Sequence, residues 1–308
     1  MLNVIVGPTA AGKSALAMEL ARHFNLALIS ADSRQVYRCF DIGTAKPNRE
    51  EQSEIPHFGI DVKDAVNRYS AHEWASSVPG WITQAKSLGK SALIVGGTGF
   101  YLRALVRPLA PAPDLDETRR AQLEAWFNAQ DLETLRRWCE RLDPARAHLG
   151  RTQLLRAVET ALLSGERLGD VHASHNREGA SQADPSPIRY LVVDPGAPLA
   201  ERIRTRVQGM VQSGWIDEVR SLMSTVPPTA PAWLASGYDV MRQHVAGVLS
   251  RDAAIERVVI ETRQYAKRQR TWFRHQITEG PVTRISPDEP HALDQAIAWM
   301  NGMETDAS

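Results

Sequence analysis

The stretch Gly7-Pro8-Thr9-Ala10-Ala11-Gly12-Lys13-Ser14 fits G-x-x-x-x-G-K-[ST]. In that spacing glycines let backbone amides close around a phosphate, the lysine lies along the anion and the hydroxyl can meet a Mg²⁺ ion. The loop points to a diphosphate and leaves its fate open: hydrolysis, phosphoryl transfer, or departure as a leaving group. Two apolar runs end on acids, "ALISADS" on Asp32 and "YLVVD" on Asp194, where a phosphate-loop enzyme can place an acid near its metal and its attacking group. Asp194 is followed by Pro195 and Gly196 and reads equally as a turn acid. Asp32 reads as a general base or as the cap of a helix starting at Ser33. Thr98, in "GGTG", is either a hydroxyl aimed at substrate or a turn threonine. Arg263, Lys267, Arg270 and Arg274 recur at spacings of 4, 3 and 4, with no acid from 262 to 278. On a helix they form one basic face, solvated or seated against phosphates.

Such residues need a sheet edge and helix ends to bring them together. "LNVIV" (2–6) is a short β-branched run that ends on the glycine loop, and "KSALAMELARHF" (13–24) carries Leu16, Leu20 and Phe24 at helical spacing. "LALIS" (26–30), "HFGIDV" (57–62), "SALIVGG" (91–97) and "IRYLVVD" (188–194) are further apolar runs, suited to strands covered on both faces. Between the last two, spacing predicts helices over 118–130, 132–142 and 152–163. Proline-rich "RPLAPAPD" (107–114) and "EGASQADPSP" (178–187) bound this region. The expected division is a core of 1–113 and 186–308 with a helical insertion over 114–185. Three more helices are predicted at 199–214, 216–223 and 253–276. The fold expected is a P-loop NTPase-like α/β fold: a parallel sheet flanked by helices, with an α-helical insertion domain.

The chain has 308 residues, 43% hydrophobic and 23% charged, which excludes disordered and fibrous classes. Its 36 basic and 36 acidic residues cancel, so any nucleic-acid binding must come from a local patch. Cys39 and Cys139 lie in no ligand spacing. "LNVIV" is too short for a signal or membrane segment, so a cytoplasmic protein that meets no membrane is expected.

Several blocks, in order, carry a wider resemblance: "GPTAAGKS" (7–14), "ISADSRQVYRCFDIGTAKP" (29–47), "PHFGIDV" (56–62), "LIVGGTGFYLRAL" (93–105), "LLRAVE" (154–159), "ASGYDVMRQHVAG" (235–247) and "TRQYAKRQRTWFR" (262–274). Over essentially its whole length the chain resembles the bacterial tRNA dimethylallyltransferase (isopentenyltransferase) family. The resemblance implies transfer of a dimethylallyl group from dimethylallyl diphosphate to N6 of the adenosine at position 37, just 3′ of the anticodon, in tRNAs reading codons that begin with U. Diphosphate leaves, Mg²⁺ is the cofactor, the partner is the tRNA anticodon stem-loop, and a monomer is expected.

By that resemblance Asp32 is the general base, needed because the N6 lone pair is delocalised into adenine. Thr98 stabilises charge on the departing oxygen. Residues 7 to 14 hold the diphosphate with Arg220, and Ser14 meets the metal. Asp32, Ser33, Arg34, Gln35 and Thr98 are expected at the tRNA, as are Gln153, Leu154, Leu155, Arg156 and Ala157, while Arg263, Lys267, Arg270 and Arg274 meet its phosphates. Arg220 reads otherwise as one arginine of a surface helix. The chain departs from the family at Leu149, Gly150 and Gln153, where an Asn-Asp pair and an arginine are usual, and Ala11 replaces a common serine. Two rival readings are a P-loop small-molecule kinase and a non-catalytic RNA-binding protein.

Overall fold

β1 (Leu2–Val6), β2 (Leu26–Ala31), β3 (His57–Phe58), β4 (Ser91–Gly96), β5 (Ile188–Val193) and β6 (Val282–Ile285) form one sheet in the order β3-β2-β4-β1-β5-β6, with every neighbouring pair parallel. The structure is a computed structural model and describes residues 1–107, 117–171, 187–277 and 280–302. All six residues of β2 are buried, which is why the strands read as unbroken apolar runs rather than alternating ones. In chain order the helices are α1 (Lys13–Phe24), α2 (Arg49–Glu54), α3 (Ala71–Ser87), α4 (Gly99–Val106), α5 (Glu117–Asn128), α6 (Leu132–Leu142), α7 (Arg151–Ser164), α8 (Leu199–Gln212), α9 (Trp215–Thr225), α10 (Tyr238–Val245), α11 (Arg251–His275) and α12 (Ala292–Met300). Ile5, Leu20, Leu28, Leu93, Leu191 and Trp299 belong to a cluster that packs α1 and α12 against the sheet.

β3 is shorter than the predicted 57–62, because Gly59 (φ 75°) and Asp61 (φ 53°) turn the chain out of extended geometry. β6 and the helices α2, α3, α4, α10 and α12 were not predicted. β6 has four residues, and α3 contains Pro79 yet starts on a full capping box between Ser70 and Glu73.

The chain divides into two compact units, Met1–Val106 with Pro185–Ser308 and Arg107–Asp184. Most of the segments 107–114 and 178–187 lies outside the described residues. Within the second unit Phe127, Leu135, Cys139, Leu154, Ala157 and Val158 form a core among α5, α6 and α7. Arg120 grips Glu159 there with two hydrogen bonds of 2.5 and 3.0 Å.

In the first unit, the loop after β2 is held from two sides. The Lys46 ammonium, whose side chain is 2% exposed, donates to Tyr37 O (2.7 Å), Asp41 Oδ1 (2.5 Å) and Asp61 Oδ1 (2.6 Å). Glu218 of α9 accepts the amides of Asp41 (3.1 Å) and Ile42 (2.7 Å) on Oε2, and the Tyr238 hydroxyl on Oε1 (2.5 Å). That hydroxyl in turn accepts from the Gly43 amide at 3.1 Å. Tyr238→Phe should therefore lower stability by about 1–3 kcal/mol, because it leaves a half-buried N–H and a carboxylate oxygen short of partners. Chemical denaturation checks this, and a loss below about 0.5 kcal/mol, ordinary for a surface change, would mean that the loop is held by other means.

No helix among the described residues is long and apolar enough to cross a membrane.

Candidate active site

Parallel strands deliver every strand-to-helix loop to the same sheet edge, the edge where open α/β folds bind ligands. Gly96 is in register with both Val6 of β1 and Ala31 of β2. The loops that follow β1, β4 and β2 are therefore immediate neighbours, and they carry the phosphate loop, Thr98 and Asp32.

The phosphate loop turns tightly. A Cβ on Gly7 would lie 2.1 Å from Val193 O, so only glycine fits beside β5. Ala10 (φ 62°) and Gly12 (φ 90°) take left-handed geometry, and Gly12 caps α1 without a side chain. The first amides of α1 thus face the loop, an anion seat at the positive end of a helix. Lys13 Nζ donates to Pro8 O at 2.7 Å. Burial, and then the charge of Arg206, push the Lys13 ammonium down to about 7, against an opposing pull from Asp32. Ser14 stands exposed on the first turn of α1.

Asp32 caps no helix, since residues 33 to 36 form a turn. Its Oδ1 accepts the Arg34 amide at 2.8 Å, an Asx arrangement that fixes the carboxylate. Thr98 is anchored by its amide to Ala31 O at 3.1 Å, and its Oγ1 accepts the Ser33 amide at 3.0 Å. Its own proton goes to Ser33 Oγ at 3.4 Å, a long bond that a substrate oxygen can replace. The Tyr265 hydroxyl stands within hydrogen-bond reach of Thr98, and burial followed by the Asp32 charge pushes it up to about 12, so it is a neutral phenol at neutral pH.

Two cavities meet here. One of 60 Å³ has Thr9, Asp32, Arg206, Val207, Met210 and Trp215 in its wall. The other, of 610 Å³, is bordered by Ser33, Thr98, Phe100, Arg268 and Trp272, and Arg34, Ser236 and Tyr265 line both.

The structure does not bring Arg220 to this site. It is 61% exposed on α9 and pairs with Asp217 one turn earlier, the surface-helix arrangement. Arg206 of α8 stands with Arg34 in the wall of the smaller cavity, and burial holds its pKa below the ordinary value. The sequence signal for it was slight: a cation beside the buried row Ile203, Val207 and Val211. Gln35 turns its carboxamide inward, accepting from Ser30 Oγ (2.8 Å) and donating to Ala45 O (3.0 Å), so it braces the loop rather than facing outward.

On α7 the predicted contact block splits between two faces. Leu154 and Ala157 are fully buried in the second unit's core, and Leu155 packs against it. That burial removes Leu154 and Ala157 from any RNA surface, while Gln153 and Arg156 are exposed.

The basic face of α11 is present, with Arg263, Lys267 and Arg274 exposed. Arg270 is different: it donates to Asp194 Oδ1 (3.1 Å) and to Gly196 O (2.5 Å). Asp194, also bonded to the Gly196 amide at 2.9 Å, is thus a turn acid and the partner of Arg270. For Lys267→Ala with Arg274→Ala we expect RNA affinity to fall, and the slope of log K against log salt to shrink by roughly one to two units. An unchanged slope would assign these cations to ordinary solvated surface.

Comparison with known proteins identifies the chain's relatives. A family model described as IPP transferase matches residues 35–276, and one described as isopentenyl transferase matches residues 1–65. The tRNA dimethylallyltransferase of Geobacter metallireducens is 38% identical over 281 residues, 89% of each chain. That of Deinococcus radiodurans is 35% identical over 312 residues, 98% of each. Among solved structures, the full-length tRNA isopentenylpyrophosphate transferase of Bacillus halodurans superposes with a TM-score of 0.66 at 31% identity, covering 98% of this chain and 95% of that one. A eukaryotic dimethylallyltransferase acting on tRNA shares the fold, with a TM-score of 0.74 at 22% identity over 100% of this chain and 81% of its own.

Proposed function

Because this chain belongs to the IPP transferase family, we propose that it is a tRNA dimethylallyltransferase that prenylates N6 of adenosine 37 in the anticodon stem-loop of tRNAs reading codons that begin with U. The observation that carries this reading is the meeting of the phosphate loop, Asp32 and Thr98 at adjacent strand ends, around a small cavity that opens into a larger one.

The adenine, turned out of its stack, enters the wider cavity, and the C5 chain of the donor occupies the smaller, largely apolar one. Asp32 accepts the N6 proton as the C–N bond forms. Thr98 donates to the oxygen whose C–O bond breaks, and the electron pair leaves on diphosphate. Lys13, Arg206 and the amides at the start of α1 hold the anion. Ser14 offers an exposed hydroxyl beside the phosphate seat, a hard oxygen donor of the kind Mg²⁺ takes together with phosphate oxygens and water. When bound there, the ion neutralises charge on the diphosphate. The exposed cations of α11 meet phosphates of the RNA stem. Gln153 and Arg156, exposed on α7, are contacts for the anticodon loop. The enzyme acts as a monomer in the cytoplasm, and its product is N6-isopentenyladenosine.

The test is incubation of the protein with Mg²⁺, dimethylallyl diphosphate and anticodon stem-loop RNA, followed by mass spectrometry of the RNA. A C5 prenyl unit on adenosine 37 is expected, without turnover of ATP. RNA that binds and stays unmodified would replace this reading with that of a non-catalytic RNA-binding protein, and transfer of a γ-phosphate from ATP would make it a kinase.

A further inference from the structure

Gln269 lies on the inward side of α11 and is buried, although its neighbours Arg268 and Arg270 reach the cavities and the β5 loop. Its carboxamide bridges two loops. Oε1 accepts the Thr9 amide of the phosphate loop at 2.8 Å, and Nε2 donates to Gly97 O, the carbonyl before Thr98, at 2.7 Å. One partner is an N–H and the other a C=O, so the orientation of the amide is fixed by what it bonds. The fit is close: a Cβ on Gly97 would stand 2.4 Å from Nε2. No other carboxamide among the described residues joins the loop that holds the diphosphate to the loop that carries the hydroxyl expected to meet its departing oxygen.

We propose that Gln269 is a positioning residue for the transfer step: by tying Thr9 to Gly97 it sets the Thr98 hydroxyl at its working distance from the leaving oxygen. This rests on the role given to Thr98 above. The Thr9 amide goes to Gln269 and the Ala11 amide to Pro8 O at 3.3 Å, which leaves the amides at the start of α1 for the anion, so Gln269 governs alignment rather than affinity. A displacement of about 1 Å between reacting groups costs on the order of 10²-fold in rate.

The experiment is a double-variant cycle on the full chain, with saturating dimethylallyl diphosphate and stem-loop RNA. Gln269→Leu should lower kcat by about 10–100-fold, and inorganic diphosphate should still bind within about threefold by titration calorimetry, the pattern of an interaction made in the transition state. If Gln269 acts through Thr98, Gln269→Leu/Thr98→Ala should be no slower than Thr98→Ala alone. Multiplying effects would overturn the proposal, since a residue that only glues loops together slows the two backgrounds alike. Thr98→Ala with undiminished kcat would instead remove the role of Thr98 itself. Gln269→Met is close in volume, neutral and without either hydrogen bond. It should show the same dependence on Thr98, and it replaces the leucine variant in the cycle if that chain does not fold.

Discussion

Asp32→Ala is expected to lower kcat by about 10²–10⁴, the range for removing a general base, with RNA and donor still binding. The geometry allows a sharper version. Oδ1 of Asp32 is engaged by the Arg34 amide, which leaves the other carboxylate oxygen to receive the N6 proton. Asp32→Asn can keep the bond to Arg34 and therefore the turn, yet an amide oxygen is far too weak a base to take the proton. The asparagine variant should thus be about as slow as the alanine variant while matching wild type in thermal stability. Single-turnover assays with saturating substrates measure this. If asparagine restored most of the rate, the carboxylate would serve the turn alone and the base would lie elsewhere.

Lys13→Ala should weaken diphosphate binding by about 1.5–3 kcal/mol, roughly ten- to 150-fold, the scale of one charge-assisted hydrogen bond. A pH dependence accompanies it. With the loop empty the ammonium titrates at about 7, whereas a bound anion favours the charged form and raises that value. Below pH 7 the lysine is protonated free and bound, so it adds no slope. Above pH 7 binding must take up a proton, and affinity falls as pH rises, by up to tenfold per unit. Calorimetry with diphosphate and no Mg²⁺, in buffers of different ionisation enthalpy, should detect that uptake in wild type and find it reduced in Lys13→Ala, where only the ligand's own protons remain. Equal uptake in both proteins would show that Lys13 is already charged in the free loop.

What the sequence made legible follows from how local each signal is. The phosphate loop with β1 and α1 could be read because glycine spacing and apolar runs are written in adjacent residues. Asp32 and Thr98 were placed by the same logic: each follows a buried strand, and parallel pairing brings such ends to one edge. Arg206 stayed hidden because one cation beside an amphipathic row looks like any solvated flank, and its value depends on a loop nearly two hundred residues away. Gln269 is a neutral amide inside a basic face and gave no sign of its inward direction. The block 153–157 was legible only in part, for a geometric reason. Consecutive helical residues point to different sides, so a contiguous match had to include Leu154 and Ala157, which belong to the interior. β6 is a four-residue strand whose partner, β5, lies about ninety residues earlier.

The brace around Lys46, Glu218 and Tyr238 also bears on how the protein opens. Loops usually exchange their amides quickly and unfold on their own. Here Asp41, Ile42 and Gly43 are tied to α9 and α10, and Lys46 ties Tyr37, Asp41 and Asp61 together. The segment that carries Asp32 therefore has little low-energy local opening available, and it shares the cooperative unit of the sheet and its covering helices. An acid in that setting keeps its place through thermal fluctuations that leave the protein folded, and it is lost only when the surrounding unit melts.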